Sequence, residues 1–139
     1  MLDVIVQLVY ISDADGAFTR YNRPLAPTGC KLVLEAASVV PHASSTADGT
    51  NYAGIILYQG STAISKNKTT NSGQAADSTN EAGASLAAGT EAAFSLIGVG
   101  SQLEFSSSTP LKIVGAKGGS GVAFDLDVTL RYRVLRSAS

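Results

Sequence analysis

The sequence predicts an all-β protein, an antiparallel β-sandwich or barrel, and three observations carry that prediction. Gly121 to Arg136 carries an apolar–polar alternation that is unbroken from Phe124 to Val134. Several shorter apolar runs are separated by Gly, Pro and Asp-Gly turn signals, the spacing expected of sandwiches and barrels. Hardly any helix is legible. The 139 residues suit one domain spanning residues 1–139, and no internal repeat divides them. With 45% hydrophobic and 15% charged residues, the chain is too apolar for whole-chain disorder.

The last segment is the firmest. Val122, Phe124, Leu126, Val128, Leu130, Tyr132 and Val134 fall on one face, and Asp125, Asp127, Thr129, Arg131 and Arg133 on the other. Side chains of a strand alternate between faces, so this is one long strand with an apolar side and a charged side. At the other end, Leu2, Val4, Val6, Leu8 and Tyr10 form one apolar face. Ile5, Val9 and Ile11 populate the opposite one, which makes a strand apolar on both sides. Such strands are covered on both sides, so the Ile5, Val9 and Ile11 face is expected to be spare and to meet another subunit. Leu2, Arg131 and Arg133 join it as expected oligomer or capsid contacts.

Between these ends, Cys30 to Val40 reads as a strand closed by Pro41, which cannot donate to a ladder. Ser44 to Thr50 is a turn with Asp48-Gly49 at its sharpest point. Asn51 to Gln59, Ala63 to Lys68, Glu91 to Val99, Gln102 to Ser106 and Leu111 to Gly115 are further strand candidates. Lys117-Gly118-Gly119-Ser120 turns the chain into the last strand. Thr69 to Thr90 is almost wholly Ser, Thr, Asn, Gly and Ala. It is expected to be a long surface loop with a short helical turn near Asn80 to Ala88.

Chemistry is sparse in the sequence. Cys30 and His42 are each the single residue of their type, so an internal disulfide is impossible and a zinc site lacks ligands. Cys30 sits in an apolar run and is expected to be buried; His42 follows Pro41 and is expected to be a solvated turn residue. No Gly-x-Ser-x-Gly elbow supplies a nucleophile. Asp13-Ala14-Asp15-Gly16 lacks the later ligands of a calcium loop and reads as a turn between strands. Asp125 and Asp127 share a face with Arg131 and Arg133 and read as a solvated charged surface.

Gly118, Gly119 and Gly121 read as hairpin glycines, not a phosphate loop. With 10 basic and 11 acidic residues, no net field favours nucleic acid or an anionic membrane. No apolar run approaches the ~18 residues of a spanning helix. The start of the chain lacks the basic region of a signal peptide and is read as a strand. Asn67-Lys68-Thr69 matches a glycosylation acceptor and is read as a chance match. No cofactor, metal or catalytic residue is expected.

Four segments carry a family resemblance: Leu25-Ala26-Pro27-Thr28-Gly29-Cys30-Lys31-Leu32, Ala87-Ala88-Gly89-Thr90, Val99-Gly100-Ser101-Gln102-Leu103-Glu104-Phe105, and Gly121 to Arg133. Over roughly residues 20 to 136 the chain resembles small jelly-roll structural proteins of tailed-bacteriophage virions. The resemblance implies a capsid decoration (cement) protein or small head-fibre protein, located on the capsid surface and made in the host cytoplasm. Its implied partners are the major capsid protein and copies of itself, commonly as trimers, with loop 69–90 or a neighbouring sheet edge on the shell. The long apolar N-terminal strand and the Ala/Ser-rich loop depart from the family's pattern. A carbohydrate- or receptor-binding module is the other reading, with Tyr21 and Tyr52 as the aromatics left free to stack on a ligand.

Overall fold

The computed structural model describes residues 4–136. They form two antiparallel sheets packed face to face, a β-sandwich. The strands are β1 (Val4–Asp13), β2 (Phe18–Asn22), β3 (Cys30–Pro41), β4 (Tyr52–Gln59), β5 (Thr62–Ala63), β6 (Lys68–Thr69), β7 (Ala92–Ala93), β8 (Glu104–Phe105), β9 (Leu111–Gly118) and β10 (Phe124–Arg136). One sheet runs β1-β10-β3-β7, with β8 also on β3; the other runs β2-β9-β4-β5, with β6 also on β4. The first strand therefore lies beside the last.

β10 is the spine of the first sheet, and its alternation does what the sequence requires. Phe124, Leu126, Val128, Leu130 and Tyr132 are all buried against the opposite sheet. At the far end the Tyr132 hydroxyl, 2.7 Å from Asn22 Oδ1, ties β10 to β2 across the sandwich. A buried phenol needs such a partner. Burial pushes its pKa well above the ordinary tyrosine value. Two edge-on ring pairs, Phe18 with Phe124 and Phe105 with Tyr132, fill the two ends of the core.

On β3 the apolar positions change parity, from Leu32 and Leu34 to Ala37 and Val39. A β-bulge explains it: Leu34 pairs with Tyr132 and Ala36 with Arg131, leaving Glu35 without an opposite residue. One extra residue restores the inward phase of the strand. It also places Glu35 where its carboxylate receives Arg131 Nε at 2.6 Å.

The N-terminal strand reverses the sequence expectation. Its register sets Ile5 opposite Tyr132, Gln7 opposite Leu130, Val9 opposite Val128 and Ile11 opposite Leu126. Residues directly opposite share a face, so Ile5, Val9 and Ile11 point inward. Ile11 is 0% exposed, and Ile5 and Val9 pack on the core. They are not a spare outer face. The outer face is Val4, Val6, Leu8 and Tyr10, opposite Arg133, Arg131, Thr129 and Asp127. Leu2 lies outside the described residues.

Other elements also differ from expectation. β2 is not legible in the sequence, being five residues long with Thr19, Arg20 and Asn22 among them. Glu91 to Val99 and Gln102 to Ser106 shrink to the two-residue strands β7 and β8, the latter preceded by one 3-10 turn at Gly100–Leu103. β9 extends through Gly118, three residues beyond the expected end. Gly16 makes the turn from β1 to β2 at φ 82°, and a Cβ there would stand 2.3 Å from that of Ala53.

Residues 69–90 contain no helix. The segment folds back along β6 and the chain at residues 45–48 through backbone hydrogen bonds, including Ser45 N to Leu86 O at 2.8 Å and Leu86 N to Ser45 O at 2.9 Å. Leu86 is buried in the core, so the segment is not merely a surface loop. Lys68, itself buried, reaches Glu81 Oε1 at 2.9 Å with its ammonium over the Phe94 ring. Gly83 passes so close to the Asn71 carbonyl that a Cβ would overlap it.

The register of β1 predicts a contrast between neighbours. Ile11→Ala should cost about 2–5 kcal/mol in urea unfolding, as for a fully buried aliphatic. Leu8→Ala should fall within about 0.5 kcal/mol of the parent, as for an exposed position. Equal costs at both positions would reverse the assigned faces.

Candidate functional site

The outer surface of the β1-β10-β3-β7 sheet holds the most developed candidate. Val6, Leu8 and Tyr10 are 51%, 62% and 57% exposed, a continuous apolar stripe along an edge strand. Lone exposed apolar residues are ordinary, whereas a contiguous row is a candidate for interaction. Beside the stripe, small side chains on β10, β3 and β7 leave a depression of about 330 Å³, with Ala36, Ser38, Ala93 and Thr129 at its floor. Val6 and its cross-strand neighbour Arg131 line it on the β1 side, and Glu91 on the β7 side. Both charged residues are engaged: Arg131 with Glu35, and Glu91 as acceptor from Ser38 Oγ at 3.2 Å.

At the other end of the stripe four polar groups cluster. The Tyr10 hydroxyl donates to Asp125 Oδ1 at 2.6 Å, and His42 Nε2 lies 2.9 Å from Asp127 Oδ2. The Tyr10 and His42 rings meet edge-on with centroids 5.6 Å apart. The Asp125 hydrogen bond raises the Tyr10 pKa above its ordinary value, so the phenol stays protonated and serves as a donor. His42 is solvated as expected, but it is also anchored by Asp127. Asp125 and Asp127 thus pair with β1 and with the residue after β3, not with the arginines of their own strand. Arg131 and Arg133 are exposed on this same surface, as the sequence suggested.

The outer surface of the second sheet carries a different arrangement. Tyr21, Lys112 and Tyr58 occupy one cross-strand row on β2, β9 and β4. Lys112 Nζ lies 5.0 Å from the Tyr58 ring centroid, and the Arg23 guanidinium 6.0 Å from that of Tyr21. Tyr21 is 56% exposed and lines a groove of about 350 Å³ with Gly60, Ser108, Thr109, Pro110 and Lys112. Tyr52, the other expected free aromatic, instead lies over Gly118, where a Cβ would come within 2.2 Å of its ring. The sequence holds no signal for Tyr58 and Lys112, because their pairing joins two strands far apart in the chain.

The remaining singled-out residues have structural surroundings. Asp13 Oδ1 accepts from the backbone N–H groups of Asp15 and Gly16, and Asp15 pairs with Lys117, so the Asp-Ala-Asp-Gly segment is a self-capped turn. Among the described residues, no group of three or more His, Cys, Asp or Glu is placed to hold a metal ion. Cys30 is a free thiol, half-buried at the start of β3 and less enclosed than its apolar run implied. Asn67 donates to Asn80 Oδ1 at 3.1 Å and Thr69 is buried, so the glycosylation triplet is built into the fold. No helix among the described residues is long and apolar enough to cross a membrane. No family model, curated protein or solved structure matches the chain.

Three surface turns set the acid response. Lys117 and the Ala17 N–H hold Asp15 below the ordinary aspartate range. The N–H groups of Asn51 and Thr50 do the same for Asp48. For Asp77, the Thr79 N–H and the Asn80 side chain are the main causes. A carboxylate whose pKa is lower in the folded chain stabilises it above the unfolded value, and that stability is lost as pH falls through the folded value. The melting temperature should therefore hold from neutrality to about pH 5 and fall below about pH 4. Asp48→Asn should shrink that fall; a melting temperature unchanged or rising in acid would contradict the assignment.

Proposed function

We propose that the chain is a structural protein of a phage virion, a jelly roll that decorates the capsid and bridges shell subunits. Its partners are the major capsid protein and further copies of itself. The strand order supports the fold part of this reading. Early and late strands interleave in both sheets, β1 beside β10 and β2 beside β9, as they do when a jelly roll wraps a long hairpin into two layers. The single observation that carries the function is the Val6, Leu8 and Tyr10 stripe. A row of large apolar side chains held outward on a rigid sheet is suited to docking, and a cement protein acts by binding the assembled shell in preference to its dispersed subunits. The docking face is thus the opposite side of β1 from the one the residue pattern suggested, with Arg131 and Arg133 at its rim.

Co-sedimentation with shells assembled from the capsid protein of the encoding phage tests this. The parent chain should pellet with shells and raise their melting temperature. Leu8→Asp, which leaves the core intact, should weaken binding at least about tenfold, because the carboxylate would be desolvated against the shell. No pelleting of the parent chain would reject the reading.

One observation favours a second reading, a carbohydrate- or receptor-binding module: the exposed Tyr21 beside Lys112 and Tyr58 in an open groove. Aromatic faces stack on sugar rings while neighbouring polar groups take the hydroxyls. On a glycan array, specific binding abolished by Tyr21→Ala would support this reading, and uniform background would remove it.

A further inference from the structure

We propose that the free edge of β1 pairs antiparallel with the same edge of a second copy, about a two-fold axis passing beside Gln7. Among the described residues β1 hydrogen-bonds to β10 alone, so its other edge presents unpaired backbone groups. Sheet edges are normally blunted by brevity, charge, proline or a bulge. The other edges here follow that pattern: β5, β6, β7 and β8 have two residues each, and β2 has five with Arg20 among them. β1 is ten residues long, continuous in register, and carries no charge or proline from Val4 to Ser12.

Gln7 selects the register. It lies in the inward row between Ile5 and Val9, and its Oε1 is buried with no hydrogen-bond partner. A buried amide oxygen without a donor is costly and rare. Pairing Gln7 with the partner's Gln7 sets two amides side by side, each a donor and an acceptor, so the two side chains satisfy one another. Shifting by one pair in either direction would set Gln7 against an aliphatic residue and leave both amides orphaned.

The same register matches everything around it. Val6 falls opposite the partner's Leu8, Val4 opposite the partner's Tyr10, and Ile5 opposite the partner's Val9, with inward rows meeting inward rows. Charge placement agrees with the antiparallel direction as a minor contribution, since three strand spacings, roughly 14 Å, separate these exposed charges. Reading across the seam, Arg133 and Val4 lead to the partner's Tyr10 and Asp127, so basic and acidic ends of the two β10 strands face each other. Strands running the same way would align acid with acid. The pair forms one continuous sheet and doubles the width of the outward apolar stripe. It deepens the docking proposal without needing it, because the edge and the face of β1 are different surfaces.

Cysteine cross-linking reads the register directly. Directly opposite residues of an antiparallel pair have Cα atoms about 4.5–5.5 Å apart, within disulfide reach. In a Cys30→Ser background, Gln7→Cys should form a disulfide-linked dimer under mild oxidation, and Val6→Cys alone should not. Val6→Cys with Leu8→Cys should link again, which covers failure of the Gln7 variant to fold. Light scattering of the parent chain should show a dimer at high micromolar concentration. A monomer at every concentration, or a trimer whose Gln7→Cys chains stay unlinked, would overturn the proposal, as would equally efficient linking through Val6→Cys alone. Shell binding without cross-linking removes the pair and leaves the docking face; cross-linking without shell binding does the reverse.

Discussion

The register between β1 and β10 is the constraint on which the rest of the molecule depends. Strand side chains have a period of two, so a slip of one residue would exchange every inward and outward position of β1. With Val9 opposite Val128, the inward row closes the edge of the core and the outward row becomes an exposed apolar stripe. β10 holds that register because both its neighbours, β1 and β3, are long and pair along nearly its entire length. The position of Tyr10 over Asp125, and of His42 over Asp127, follows from the same alignment.

The second organising feature is how polar sequence is made to pack. Residues 69–90 hold only one large apolar side chain, Leu86, yet they lie in a defined path. Backbone hydrogen bonds to β6 and to residues 45–48 replace the apolar burial the segment lacks. The Lys68–Glu81 pair and buried Thr70, whose hydroxyl meets the Ala53 backbone, anchor its start. Buried polar groups are tolerated when each finds a partner, and here they do. Among the described residues, Gln7 Oε1 is the departure from that pattern, and it sits on the one long unprotected edge they contain.

Reading β1 from sequence goes wrong for an instructive reason. The row Val4, Val6, Leu8, Tyr10 is unbroken apolar, whereas the row Ile5, Gln7, Val9, Ile11, Asp13 is interrupted twice by polar residues. Hydrophobicity therefore nominates the first row for the core. The interruptions have local causes: Asp13 turns away to cap the β1–β2 turn, and Gln7 lies at the sheet edge. A more apolar row left outside than inside is what a strand needs when its outer face is also to be covered. On β3 the comparable difficulty is the parity change at Glu35, which the register shift opposite Arg131 and Tyr132 makes a bulge.

Periodicity and turn residues alone determined the all-β class, the long last strand and most turn positions, because these depend only on near neighbours in the chain. The tertiary structure decided which face of β1 is outward, which residues form the Tyr21–Lys112–Tyr58 row, and how residues 69–90 are pinned. Each of those depends on pairing between segments tens of residues apart, and the free energy that chooses among such pairings resides in contacts a linear pattern does not contain.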